Sequence, residues 1–130
     1  MIDFYLDAKS GVSPYLQLVQ QVRHAIRLGM LREGDRLPTV KEVVAQLAIN
    51  ANTVLKAYRE LEHEGLIAAR PGVGTFVTAT PAEAPLAALG PLRLELQRWL
   101  AKARRAGLDD ESIEALFLTT FKTTAQEDIA

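Results

Sequence analysis

Apolar positions in the first half of the chain follow two spacings, and each change of spacing marks an element. Ile2, Phe4 and Leu6 alternate with Asp3, Tyr5 and Asp7, which predicts a short strand with one apolar face, broken at Lys9-Ser10-Gly11. Tyr15, Leu18, Val19, Val22 and Ile26 then fall at helical spacing. Ser13 before Pro14 opens that helix, with the hydroxyl as cap and proline where a missing N–H costs nothing. Gly29 closes it.

A turn at Glu33-Gly34-Asp35-Arg36 leads through Leu37-Pro38 into a second, shorter helix. Thr39 with Glu42 three residues on is a capping box, and Val40, Val43, Val44 and Leu47 are the positions expected to be buried. Asn50 is a good N-cap for a third helix, whose inner stripe is Val54, Ala57, Tyr58 and Leu61 and which stops at Gly65. Two such helices joined by a few residues and facing one core predict a helix-turn-helix. Leu66 to Arg70, the turn Pro71-Gly72-Val73-Gly74 and Thr75-Phe76-Val77 predict a hairpin directly after it. That succession is a winged helix.

Beyond Thr78 the pattern changes. Pro81, Pro85 and Pro91 among alanines predict a linker or a bent connection. Leu92, Leu96, Trp99, Leu100 and Ala103 then give an amphipathic helix closed by Gly107, and Asp109 caps a last helix carrying Ile113, Leu116, Phe117, Leu118 and Phe121. Two helices this apolar leave surface that another copy can cover. The predicted fold class is therefore mostly α with a small β hairpin, organised as a winged helix-turn-helix domain (1–78), a linker (79–90) and a helical dimerisation region (91–130).

Composition narrows the function. At 130 residues with 48% hydrophobic content the chain can bury a modest core. It contains no cysteine, so no disulfide, thiolate metal site or cysteine nucleophile is expected. His24 and His63 have no second ligand at metal spacing and read as surface residues, so no metal and no cofactor are expected. No membrane-length apolar run and no leader pattern occur, which predicts a cytoplasmic protein without membrane contact. An enzyme is the reading with least support: no glycine fingerprint or histidine-paired nucleophile is visible, and the macrodipole accounts for the carboxylates at Asp109, Asp110, Glu111 and Glu114.

The outer face of the third helix carries Asn52, Thr53, Lys56, Arg59 and Glu60. Amides, a hydroxyl and a lysine near its start suit base edges in a DNA major groove better than they suit solubility alone. Bulk charge argues the other way. Residues 1–78 hold nine Lys/Arg against eight Asp/Glu, a net charge of +1, so attraction to DNA must come from local arrangement. The plainer alternatives are a cap for Asn50, a solvated face for Thr53 and Lys56, a tight turn for Gly74, and core roles for Tyr15 and Tyr58.

The chain resembles the GntR family of bacterial transcription regulators, and its short length resembles the YtrA-type branch. The resemblance rests on Ser13-Pro14-Tyr15-Leu16-Gln17-Leu18, Gly29 with Leu31, Gly34-Asp35-Arg36-Leu37-Pro38-Thr39 and Asn52-Thr53-Val54. It continues through Ala57-Tyr58-Arg59-Glu60-Leu61-Glu62, Glu64-Gly65-Leu66-Ile67 and Gly72-Val73-Gly74-Thr75-Phe76-Val77. It implies a dimer that binds an operator and represses a nearby operon, often one for a transporter. Lys41 stands where arginine is common, keeping charge without the bidentate fork, and Ala51 stands where many members have arginine. Asn50 and Asn52 suit adenine instead.

The expected DNA-contacting set is therefore Thr39, Lys41, Asn50, Asn52, Thr53, Lys56, Arg70 and Gly72. Leu96, Trp99, Leu100, Ile113, Leu116, Phe117 and Phe121 are the expected dimer interface. The partners are double-stranded operator DNA and a second copy, and a small-molecule effector is left open, because so short a tail has little room for a private pocket. The alternative is a winged-helix protein-interaction module without specific DNA binding.

Overall fold

The helical spacing that starts at Tyr15 becomes α1, Pro14–Arg27, in the computed structural model, which describes residues 2–79 and 86–129. Proline occupies the first turn as expected, but the Ser13 side chain makes no capping hydrogen bond, so proline's fixed φ alone starts this helix. Leu18, Val19 and Val22 are fully buried and form the floor of the core.

Residues 2–7 form no strand. Phe4 is buried and Ile2 and Leu6 are half-buried, so the alternation sorts apolar from polar correctly, yet no other strand lies alongside. Side-chain amides of α1 replace it. The Gln21 amide accepts from Tyr5 N–H at 3.1 Å and donates to Tyr5 C=O at 2.8 Å. Gln17 does the same for Asp7 at 2.8 and 3.0 Å and donates to Val12 C=O at 2.8 Å. A buried glutamine satisfied at both ends clamps the segment at no desolvation cost.

Helix α2, Val40–Leu47, opens with the expected capping box: Thr39 Oγ1 accepts from Glu42 N–H at 3.1 Å, and Glu42 Oε1 accepts from Thr39 N–H at 3.3 Å. Of its four expected core positions only Val43 is fully buried; Val40, Val44 and Leu47 are half-buried against the core. The turn to α3, Ala51–His63, passes through Ala48 in the left-handed region at φ 54° and ψ 42°. Helix α3 buries Val54, Ala57, Tyr58 and Leu61, as its spacing predicts, and packs against α1 and α2. The Tyr58 hydroxyl donates to Pro38 C=O, fixing the approach to α2. Burial, helped by the nearby Glu42 charge, pushes that hydroxyl's pKa up. Arg23 and Glu64 form a two-point ion pair at 3.0 and 2.7 Å, tying α1 to the end of α3.

β1 (Ile67–Arg70) and β2 (Gly74–Val77) pair antiparallel with Ile67 opposite Val77 and Arg70 opposite Gly74. The approach to α2 adds a third lane: Leu37 N–H donates to Thr75 C=O at 2.9 Å and Val77 N–H to Asp35 C=O at 2.8 Å, with Arg36 bridged to Phe76.

The second compact unit begins at Ala87 and holds nearly all of α4 (Leu86–Arg105) and α5 (Asp110–Ile129). Residues 86–90, expected as linker, are helical, and Pro91 lies inside α4; residues 80–85, with Pro81 and Pro85, lie outside the described residues. Asp109 caps α5 by accepting from Ser112 N–H at 2.8 Å, and its carboxyl is held below the ordinary range first by the Ser112 side chain and then by that backbone bond. Ile113 is 5% exposed and buried with Ala103, so it differs from its neighbours in the expected interface. Leu96, Leu116, Phe117 and Phe121 are exposed, Phe121 by 63%, while Trp99 and Leu100 are half-buried.

Candidate nucleic-acid interface

The first turns of α3 present the polar set. Asn52 and Lys56 are exposed and Thr53 is half-buried, on the side of the helix away from Val54, Ala57, Tyr58 and Leu61. The inner stripe is anchored in the core, so the outer edge is held rigid without spending its own hydrogen-bonding groups. Asn50 is a cap in fact: its Oδ1 accepts from Asn52 N–H at 2.8 Å, which leaves its Nδ2 donors for a partner.

Lys56 is not a freely waving cation. Its ammonium lies 3.9 Å from the centroid of the Tyr15 ring, a cation–π contact that presents the charge beside the start of α1. Tyr15 is half-buried, so it packs on the core through one side and seats Lys56 with the other. The spacing pattern assigned Tyr15 to the core alone. Forty-one residues separate the pair, and no local signal joins them.

Lys41 is exposed on the first turn of α2. Thr39 is half-buried and its hydroxyl is committed to the capping box. On the wing, Val73 N–H donates to Arg70 C=O at 3.0 Å across Pro71-Gly72, and Gly72 has φ +74°. Proline then glycine with positive φ is the type II arrangement, which a side chain at Gly72 would strain. A Cβ at Gly72 would meet nothing within 4 Å, so the tip is bare on its outer side. Arg70 is exposed, with its guanidinium carbon 5.0 Å from the Phe76 ring centroid.

A shallow cleft of about 390 Å³ brings Thr39, Arg70 and Gly72 together with Arg36. Lys41 on α2 and Asn50, Asn52, Thr53 and Lys56 at α3 do not line it, so the cleft gathers only Thr39, Arg70 and Gly72 of the expected contacts. Arg36 was not among the expected contacts. Its placement depends on pairing with Phe76, forty residues away, which helix and strand periodicity do not report.

In the second unit an apolar cleft of about 500 Å³ lies between Leu96 and Trp99 of α4 and Leu116, Phe117, Thr120 and Phe121 of α5. The Phe117 and Phe121 rings stack at 6.1 Å between centroids. Among the described residues no group of His, Cys, Asp and Glu is placed to hold a metal ion, and no helix is long and apolar enough to cross a membrane.

A family model described as "Bacterial regulatory proteins, gntR family" matches residues 14–77. The HTH-type transcriptional repressor YtrA of Bacillus subtilis is 40% identical over 73 residues, 56% of this chain and 56% of that protein. The solved structure of YtrA from Sulfolobus acidocaldarius, a GntR-family transcription factor, is 32% identical with a TM-score of 0.53, covering 75% of this chain and 96% of that one. The DNA-binding domain of AraR, solved in complex with operator ORX1, is 26% identical with a TM-score of 0.50, covering 60% of this chain and 93% of that one.

Proposed function

Since the chain belongs to the GntR family of transcription regulators, in its YtrA-type branch, and is not an enzyme, we propose that it is a cytoplasmic, homodimeric repressor that binds operator DNA. The observation that carries this reading is the uncovered polar edge of α3. Asn52 and Lys56 are exposed and Thr53 half-buried on the side of α3 away from its buried stripe, with Lys56 seated on the Tyr15 ring. In the proposed complex that edge enters the major groove and reads bases, with Asn52 suited to adenine. Lys41, the Asn50 amide and Arg70 hold phosphates, and the bare tip at Gly72 lies beside the minor groove. Operator binding by AraR and the name of the Bacillus relative support the same direction. Repression of a nearby operon, often one for a transporter, is what membership of the family implies.

The dimer is proposed on different grounds. Leu96, Leu116, Phe117, Leu118 and Phe121 are all exposed on α4 and α5, more apolar surface than two isolated helices usually leave to water. We propose that a second copy covers it, and that any effector sits between subunits. Two-fold symmetry then spaces two half-sites about 34 Å apart, or a multiple of that.

Fluorescence anisotropy with DNA from upstream of its own gene tests the reading. Binding that persists against an excess of random duplex at moderate salt is the expected result. Equal binding to both duplexes, or to neither, overturns it in favour of an interaction module, the alternative to which the net charge of +1 over residues 1–78 points.

A further inference from the structure

The wing carries a cation that the family pattern above does not place on DNA. Arg36 is exposed, and its side chain lies across Gly74: a Cβ built there would stand 3.0 Å from Arg36 Nε and 3.6 Å from Cζ. A side chain at Gly74 would press on that path, and the flexible end of Arg36 would have to give way. Gly74 also has φ +144°, so it is fixed by its backbone as well as by its neighbour.

The register puts Arg36 and Arg70 on one face. Arg36 is bridged to Phe76, and Arg70 is paired with Gly74, two residues away on the same strand. Residues two apart share a face, so both arginines flank the patch formed by Phe76 and Gly74. Arg70 stands over the Phe76 ring, and Arg36 covers the glycine beside it. Neither guanidinium has a carboxylate partner among the described residues. Aspartate 35 is turned elsewhere, its carboxylate accepting from Arg32 N–H at 2.9 Å. Two unneutralised guanidinium groups on one small face repel each other unless an anion lies between them. The cleft of about 390 Å³ that they line is open and is floored partly by bare glycine backbone.

We propose that Arg36 and Arg70 together hold one phosphate of the DNA backbone, as a clamp on the face of the wing. The inference rests on the operator-binding reading and adds to it a contact and a geometry. A guanidinium fork matches phosphate oxygens in two points, and a contact to backbone carries no sequence information. The clamp therefore sets the depth and tilt of the wing while the α3 edge reads bases.

The test uses the full-length protein with two duplexes, the operator and an unrelated sequence, over a range of salt concentrations. R36Q is expected to weaken binding about tenfold on both and to lower the slope of log affinity against log salt by about one. R36M keeps the aliphatic stem that packs over Gly74 and should give the same loss, which covers the case of R36Q failing to fold. R70Q should match either, and the double variant should lose less than the product of the single losses, because one phosphate is lost only once. An unchanged slope in the folded Arg36 variant overturns the contact, and a loss confined to the operator overturns the assignment to backbone. Losses that multiply overturn the shared phosphate. If the wild-type protein itself fails to prefer the operator, the regulator reading falls instead, and the two failures are told apart.

Discussion

The two compact units of this chain solve opposite problems with similar helices. The first, ending at Leu86, buries Leu18, Val19, Val22, Leu37, Val43, Val54 and Leu61 completely and leaves amides and cations outside. The second, from Ala87, buries little beyond Ala103 and Ile113 among its described residues and leaves leucines and phenylalanines outside. Hydrophobic content alone does not distinguish them; where the apolar residues fall around each helix does. Helix α3 sorts its residues into a dry stripe and a wet one, whereas α5 has Leu116, Phe117, Leu118 and Phe121 on several sides. A sorted helix completes a core within its own unit. An unsorted one is completed only by another surface.

The contrast breaks most easily in the core. Leu61→Ala removes a fully buried side chain and should cost about 2–5 kcal/mol in urea unfolding of the first unit. Phe121→Ala, at a side chain 63% exposed, should change unfolding of dilute protein little but weaken self-association by about 2 kcal/mol, roughly thirtyfold, in sedimentation. Equal losses of monomer stability in the two variants would erase the distinction between the units.

A smaller effect sharpens the account of the first unit. Tyr58→Phe leaves the Pro38 carbonyl without its donor and should cost about 1–3 kcal/mol. It should also change the response to alkali. Because burial raises the Tyr58 pKa in the folded state, the folded protein holds that proton more tightly than the unfolded chain. The stability it contributes is complete below the ordinary tyrosine pKa of about 10 and declines as pH rises above it, through the folded value. The difference in unfolding free energy between wild type and Tyr58→Phe should therefore shrink at high pH, and a constant difference would remove the buried hydroxyl from the explanation.

The smallest effect is at the surface. Arg23 and Glu64 are partly exposed, so Arg23→Ala should cost no more than about 1 kcal/mol despite the two short hydrogen bonds. Thermal melts at low and high salt would check it, and a larger, salt-independent loss would show that the pair acts as part of the core.

What could be read in the sequence was local. The capping box of Thr39 and Glu42, the cap at Asn50 and the stripe from Val54 to Leu61 depend on residues within about two helical turns, and all stand in the structure. Most of the misses, the uncapped Ser13 and Pro91 aside, depend on partners far along the chain. Residues 2–7 had a strand's alternation but find glutamines of α1 instead of a neighbouring strand. Arg36 gains its setting from Phe76, and Lys56 from Tyr15. Pro91 was expected with Pro81 and Pro85 in the connection, yet α4 starts five residues before it; the missing N–H is one that would have reached the Ala87 carbonyl, near the helix start. Ile113 is buried within its own unit, since periodicity locates an apolar stripe without saying whether this chain or another covers it.

The left-handed alanine between α2 and α3 has a practical side. Ala48 sits where a Cβ is disfavoured by about 1–2 kcal/mol, and that single residue sets the angle at which one helix leaves the other. Glycine there would raise heat resistance and slacken the elbow, whereas valine, branched at the crowded carbon, would tax it further. The side chain at this one position thus trades the strength of the fold against the stiffness of the elbow.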